Sequence, residues 1–137
     1  MIVVMIIGLL ALLAYPAISG SKTNARGARF INDLRQARAI FAMAAMENGV
    51  YPAEAAPGVI PTGMDQALKP IHWTETSPIG GRWDWDYQQF GVTAGVSIYQ
   101  PDLTVDQMQK IDARVDDGDL TKGAFRRRTG GYIFILE

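Results

Sequence analysis

The sequence predicts an α+β protein in which one long N-terminal helix packs, by its C-terminal half, on a small antiparallel β-sheet. Residues 1–48 are first apolar and then amphipathic with helical spacing, and Asn48-Gly49 followed by Pro52 supplies a helix stop. After residue 81 the chain shows short stretches in which apolar and polar residues alternate, as they do in strands. We therefore expect a long helix over residues 1–48 and a globular head over residues 49–137.

The composition excludes several kinds of site. The chain has 137 residues, a formal net charge of -1 at pH 7 and no cysteine. A nearly neutral chain has no general attraction to nucleic acid or to an anionic membrane surface. Without cysteine, neither a disulfide nor a thiolate metal site can form.

The first part of the predicted helix, residues 1–21, contains no charged residue, and it begins MIVVMIIGLLALLAYPAI. A helix that is apolar on every face does not lie on the surface of a soluble protein. At about 1.5 Å per residue, some 20 residues span roughly 30 Å, which is the thickness of a bilayer's hydrocarbon core. The sequence therefore predicts a membrane or filament-core segment over residues 1–21.

Two other interpretations of this segment stay open. One is a cleaved secretory signal, although no Lys or Arg precedes the apolar run and no clear small-x-small cleavage site follows it. The other is an ordinary single-pass anchor. In that case Lys22, Arg26 and Arg29 would hold the rest of the chain in the cytoplasm by the positive-inside rule.

Residues 22–48 predict an amphipathic helix. Their apolar side chains recur on one helical stripe: Phe30, Ile31, Leu34, Ala37, Ile40, Phe41, Ala44 and Ala45. The many alanines from Ala37 to Ala45 favour a helix and permit a neighbouring helix to approach closely. A helix of 48 residues would be roughly 72 Å long, so we expect surfaces outside this chain to cover part of it.

The head is predicted to contain an antiparallel sheet and a short helix. Trp83, Trp85 and Tyr87 alternate with polar residues, which is typical of a half-buried strand whose aromatic row faces the core; a ligand-stacking surface is the alternative. The predicted strands are Arg82–Tyr87, Gly95–Gln100, Gly123–Arg128 and Tyr132–Leu136. The predicted helices are Leu103–Val115, with Thr104 as N-cap, and a short one at Met64–Leu68 within the Pro- and Gly-rich residues 50–81.

The N-terminal helix resembles that of type IV pilins and type II secretion pseudopilins. The resemblance covers roughly residues 1–50, and Gly8 and Pro16 have the spacing of the family's Gly and Pro within the apolar run. In that family a short basic leader is removed, the new N-terminal Phe is N-methylated and a Glu follows it. This sequence begins after the point at which those residues occur, so we expect that further residues precede Met1.

The resemblance implies a pilin-like fold and a structural role in a type IV pilus-like or type II secretion pseudopilus filament. It implies a single-pass protein of the bacterial inner membrane, with its head outside the cytoplasm, that later joins a filament in the periplasm or at the cell surface. The implied partners are identical or related pilin subunits, the inner membrane, and an assembly platform with its ATPase. The residues expected to pack helices during assembly are Gly8, Ala11, Ala14, Pro16, Ala37, Phe41 and Ala44. The alternative is a membrane-anchored binding module that does not polymerise.

Two charged groups in the head are candidate sites. Asp112, Asp116, Asp117 and Asp119 crowd the turn around Gly118, and some secretion pseudopilins bind Ca²⁺ in a head loop through oxygen ligands. The candidate Ca²⁺ ligands are Asp116, Asp117 and Asp119. The spacing differs from that of an EF-hand, and a solvated acidic turn is the alternative. The run Arg126–Arg128 suggests contact with DNA phosphates, a charged edge strand or an ion pair with a neighbouring subunit. Alternation along a strand disfavours the first interpretation, because the middle arginine points away from the other two.

Catalytic groupings are absent from the sequence. His72 is the only histidine, and no G-x-S-x-G elbow or Gly-rich phosphate motif occurs. Asp84 and Asp86 project from one face of a predicted strand, so an acid–base pair is geometrically possible there. We expect a structural protein rather than an enzyme, with no small-molecule substrate and no cofactor apart from the candidate Ca²⁺.

Overall fold

The computed structural model describes the backbone of residues 2–137 and the side chains of residues 22–137. The protein is α+β, as predicted, with one long helix and one four-stranded antiparallel sheet. Its elements are α1 (Ile2–Asn48), a 3-10 turn (Lys69–Ile71), β1 (Arg82–Tyr87), β2 (Ala94–Tyr99), α2 (Val105–Val115), β3 (Phe125–Arg128) and β4 (Gly131–Ile135).

The predicted membrane or filament-core segment, residues 1–21, lies outside the residues whose side chains are described. The same holds for four of the predicted helix-packing residues, Gly8, Ala11, Ala14 and Pro16. Among the described residues, no helix combines the length and the apolarity that crossing a membrane requires.

The sheet has the strand order β1-β2-β4-β3, and all neighbouring strands are antiparallel. Two hairpins, β1–β2 and β3–β4, are joined by a connection that contains α2. Trp83 pairs with Ile98, and Val96 pairs with Phe134. Since side chains alternate between the two faces of a strand, these residues share one apolar face of the sheet.

The apolar stripe of α1 packs on this face. Phe30 and Phe41 of α1 are fully buried, and so are Trp83 and Trp85 of β1. The ring of Phe30 stacks on that of Trp83 with a centroid separation of 5.3 Å. The prediction of a core-facing aromatic row is therefore confirmed for the two tryptophans, while Tyr87 is only half-buried. Stacked rings of this kind add about 0.5–1.5 kcal/mol beyond the area they bury.

The long connection between α1 and β1 covers the core and one sheet edge. Trp73 is buried beside Trp83, and its indole N–H donates to the carbonyl of Val59 at 3.0 Å. The Gly58 N–H donates to the Trp83 carbonyl at 2.7 Å along the outer edge of β1. This connection thus hides part of an edge that would otherwise present unpaired backbone groups.

The predicted short helix at Met64–Leu68 is wrong. These residues form turns, and the 3-10 turn follows at Lys69–Ile71. The Leu68 N–H donates to the Met64 carbonyl at 3.0 Å, which closes one helical turn, and Pro70 has no N–H with which to extend this pattern. The prediction of Thr104 as the N-cap of α2 is confirmed. Its hydroxyl accepts the Gln107 N–H, and the Gln107 side chain accepts the Thr104 N–H in return.

Candidate functional site

The sheet face that lies away from α1 carries a buried group of charged side chains. Asp84 and Asp86 are only 3% and 2% exposed. The prediction of a half-buried β1 is therefore wrong on this side, because the strand is covered on both faces. We call Glu54, Asp84, Asp86 and Arg128 the sheet cluster.

Arg128 supplies the positive charge of the sheet cluster. Its Nη2 lies 2.5 Å from Asp84 Oδ2, its Nε lies 3.4 Å from Asp86 Oδ2, and its side chain is 5% exposed. The guanidinium also lies 4.6 Å from the centroid of the Phe90 ring, which is a cation–π arrangement. The strand β3 is an edge strand, as expected. However, Arg128 forms its ion pairs within this chain. Of the three arginines Arg126–Arg128, only Arg127 is in the exposed class.

Burial dominates the electrostatics of the sheet cluster. It raises the pKa of Asp84 to about 7, and repulsion by the Asp86 carboxylate adds to this increase while Arg128 opposes it. Burial also raises the pKa of Asp86, against the hydrogen bond from the Ser97 hydroxyl and the attraction of Arg128. Both carboxylates are buried and contact Arg128, and the exposed Glu54 lies beside them.

The acidic turn before β3 holds a second group of carboxylates. The structure brings Asp116 and Asp117 together with Asp112 of α2, with one ligand oxygen from each lying within 4.8 Å of the others. We call these three residues the turn cluster. The Asp116 carboxylate also accepts the Ala124 N–H at 2.6 Å, which ties the turn to the start of β3.

Asp119, the third predicted Ca²⁺ candidate, is not in the turn cluster. Its carboxylate instead accepts the N–H and the hydroxyl of Thr121 at 3.0 and 2.5 Å and lies 3.6 Å from the Lys122 ammonium. These hydrogen bonds lower the pKa of Asp119 below its usual value. The candidate set is therefore corrected, with Asp112 replacing Asp119.

Asp112 is the unusual member of the turn cluster. It is 0% exposed, and within the described part of the chain neither of its carboxylate oxygens has a hydrogen-bond partner. Burial, together with repulsion by the nearby carboxylates of Asp117 and Asp116, raises the pKa of Asp112 to about 6. The sequence carried a signal for this position, since Asp112 and Asp116 are four residues apart and share one face of a helical turn.

The exposed side of α1 is a third candidate surface. Ala37, Phe41 and Ala44, which were expected to pack against neighbouring helices, are buried in the core of this chain. Their assignment to assembly is therefore corrected, because the head's own sheet covers them. On the side of α1 away from the sheet, Ala39, Met43 and Met46 are exposed at helical spacing, and we call these three residues the outer stripe.

The outer stripe continues into an open groove at the end of α1. Met43 and Met46 are 59% and 85% exposed, and Val50 just beyond the helix is also exposed. Met46 and Val50 line a groove of about 470 Å³, together with Tyr51 and Tyr87. Met46 belongs to both the groove and the outer stripe, and Thr93 and Glu137 add polar groups to the groove.

A comparison with models of protein families finds no match to the sequence, and comparisons with curated proteins and with solved structures find none either. The fold and the sites define an α+β protein with a long helix, an antiparallel sheet and two groups of acidic side chains.

Proposed function

We propose that this chain is a structural subunit of a type IV pilus-like or type II secretion pseudopilus filament, held in the bacterial inner membrane before assembly. The proposal rests on the surface of α1, because this helix buries one apolar stripe in the head and leaves a second one, the outer stripe, exposed. Single exposed apolar residues are normal in soluble proteins, whereas a contiguous apolar surface marks a contact with another molecule.

Side-by-side packing of helices accounts for both halves of α1. The uncharged residues 1–21 require an apolar surrounding, which a membrane supplies before assembly and neighbouring helices supply afterwards. When the apolar residues leave the lipid and contact neighbouring helices, the apolar area that is kept from water changes little. The favourable free energy of assembly therefore has to come from close packing of the helices. The outer stripe supports such packing, because Ala39 is small and the methionines Met43 and Met46 adapt to irregular surfaces.

The distribution of charge also supports contact between copies. Residues 22–48 contain five basic and two acidic residues, whereas residues 49–137 contain eight basic and twelve acidic ones. A basic stem on one copy is complementary to an acidic head on another, which favours a head-to-stem arrangement. A head-to-tail contact of this kind is heterologous and continues into a filament.

Photo-crosslinking in cells that carry the native gene tests the proposal. A photoreactive amino acid at Met46 is expected to give a ladder of multimers that extends beyond the dimer, since each copy contacts the next through a different surface. The same probe at Lys110, an exposed residue of α2, is expected to give a weaker ladder. Monomers alone, or one crosslink to an unrelated protein, would contradict the filament and favour the anchored binding module.

We further propose that the turn cluster binds Ca²⁺ and thereby stabilises the head. The buried Asp112 with its two unpartnered oxygens supports this, because hard carboxylate oxygens are the ligands that Ca²⁺ prefers. Ca²⁺ at 100 times its dissociation constant is expected to raise the free energy of unfolding by about 2.7 kcal/mol. Asp112→Asn should reduce this increase, and Asp119→Asn should leave it unchanged. Equal effects of the two variants, or no effect of Ca²⁺, would contradict the proposal.

A further inference from the structure

The sheet cluster holds more negative than positive charge. It combines the carboxylates of Glu54, Asp84 and Asp86 with the guanidinium of Arg128, so its net charge is -2 when all four groups are ionised. Asp84 and Asp86 are buried, and an excess charge in a protein interior is costly unless a proton or a cation compensates it. Because Glu54 is exposed, the buried part of the cluster carries a charge of -1 when its groups are ionised, and a proton or a cation can compensate it.

The spacing of the carboxylates fits a single ion. One oxygen from each of Glu54, Asp84 and Asp86 lies within 4.8 Å of the other two. Oxygens on opposite sides of a Ca²⁺ ion, each at about 2.4 Å, are about 4.8 Å apart. An ion placed among these oxygens is therefore within reach of all three side chains.

The ion pairs within the chain leave one buried carboxylate oxygen of the sheet cluster without a partner. Arg128 contacts Asp84 Oδ2, and both Arg128 and the Ser97 hydroxyl contact Asp86 Oδ2. Asp84 Oδ1 is buried as well, and among the described residues it has no hydrogen-bond partner. An unpaired buried oxygen of this kind destabilises the folded chain, and a bound cation would supply its missing partner.

We propose that Glu54, Asp84 and Asp86 bind a hard divalent cation of the Ca²⁺ or Mn²⁺ class, with water completing its coordination. Three carboxylates and one guanidinium together with one divalent ion give a neutral site. The three carboxylate oxygens are hard ligands, which select such ions over soft transition metals. This site is separate from the turn cluster, and the proposal does not depend on assembly into a filament.

The ion has a structural role in this position. Glu54 belongs to the connection that covers the outer edge of β1, and its carboxylate already accepts the Tyr87 N–H at 2.5 Å. Binding by Glu54, Asp84 and Asp86 joins this connection to β1, and through Arg128 to β3. The cation therefore fastens the covering segment over a sheet edge that would otherwise be open to other chains.

Terbium luminescence tests the site directly. Tb³⁺ takes the same oxygen ligands as Ca²⁺ and emits when a nearby tryptophan transfers energy to it, and Trp85 lies between the two aspartates in β1. The full-length chain in detergent is titrated with Tb³⁺, and Ca²⁺ is then added as competitor.

We expect Glu54→Gln to lower the affinity for Tb³⁺ by at least about tenfold, because the loss of a partner at a metal site has an effect of this size. Glu54 is exposed, so this variant keeps the fold, and Asp84→Asn is the second variant.

Two control variants assign the signal. Glu75→Gln changes an exposed glutamate outside both clusters, and Asp112→Asn changes the turn cluster alone. A component of the signal that is lost in Glu54→Gln and kept in both controls supports the proposal, whereas a component lost only in Asp112→Asn belongs to the turn cluster. The proposal would be overturned if Tb³⁺ did not bind, or if its sensitised emission were the same in Glu54→Gln and Asp84→Asn as in the unchanged chain. In that case a proton on Asp84, and not a metal ion, would compensate the negative charge of the sheet cluster.

Discussion

Phe41 of α1 lies flat on Trp85 of β1, with ring centroids 3.8 Å apart and ring planes inclined by 1°. Both side chains are fully buried. This contact joins the long helix to the first strand of the sheet, so the second half of α1 and the head share one core. Changes in this core are therefore expected to affect the helix and the sheet together.

Shortening Phe41 should destabilise the whole head. Phe41→Ala is expected to lower the free energy of unfolding by about 3–5 kcal/mol, because it removes a large buried ring and leaves a cavity. Phe41→Leu should cost less, since it keeps part of the volume. Denaturant unfolding of the full chain in detergent measures both values. Met43→Ala, a change on the exposed side of the same helix, should stay within about 0.5 kcal/mol. Similar losses at positions 41 and 43 would contradict the described packing.

Arg128 and Arg127 should differ strongly in their contribution to stability. Arg128→Ala leaves Asp84 and Asp86 buried without their cation, and breaking a buried ion pair in this way costs about 3–5 kcal/mol. Arg127 is exposed, and Arg127→Ala should change the free energy of unfolding by no more than about 0.5 kcal/mol. Thermal or denaturant unfolding of the two variants compares them. Equal stability of both variants would contradict the burial of the ion pairs that Arg128 forms with Asp84 and Asp86.

Two glycines with the same backbone conformation should respond differently to alanine. Gly81 and Gly63 have φ angles of +71° and +84°, so an alanine costs about 1–2 kcal/mol of backbone strain at either position. A Cβ atom at position 81 would lie 2.2 Å from the Tyr99 carbonyl oxygen, whereas one at position 63 meets nothing within 4 Å. Gly81→Ala should therefore lower the melting temperature clearly more than Gly63→Ala does. The reverse order would contradict the close approach of Gly81 to the end of β2.

The capping box of α2 gives a smaller and more local effect. Thr104→Ala should lower the free energy of unfolding by about 1 kcal/mol, because the Gln107 N–H loses its acceptor. Thr104→Ser keeps the hydroxyl and should cost much less. Hydrogen exchange of the amides in the first turn of α2 checks the location of the change. Equal exchange in the two variants would mean that the cap does not hold this helix end.

The local elements could be predicted because their signals are short-range. The alternation of residues 82–87 predicted β1 with the bounds that the structure shows, and the Thr104 cap preceded a helix with clear apolar spacing. The core stripe of α1 was likewise visible in its 3.6-residue period. Each of these signals depends on neighbours within one or two turns of chain.

The sites could be predicted only in part because they depend on distant residues. The burial of Asp84 depends on an ion pair with Arg128, which lies 44 residues further along the chain on the opposite edge strand, with β2 and β4 between them. A count of acidic residues in the turn suggested Asp119, but its carboxylate accepts hydrogen bonds from Thr121, and the buried Asp112 lies in the cluster instead. The alternation in β1 correctly assigned the aromatic and the acidic residues to opposite faces of the strand. It could not indicate that the face with Asp84 and Asp86 is also covered by other parts of the chain.

Electron microscopy of material sheared from cells that carry the native gene tests the proposed function most directly. An antibody raised against the head is used to label the sample. We expect thin filaments that carry the label along their whole length, because each copy in the proposed filament contributes one head to its surface. Label that remains dispersed over the cell envelope, with no labelled filament in the sheared fraction, would contradict it.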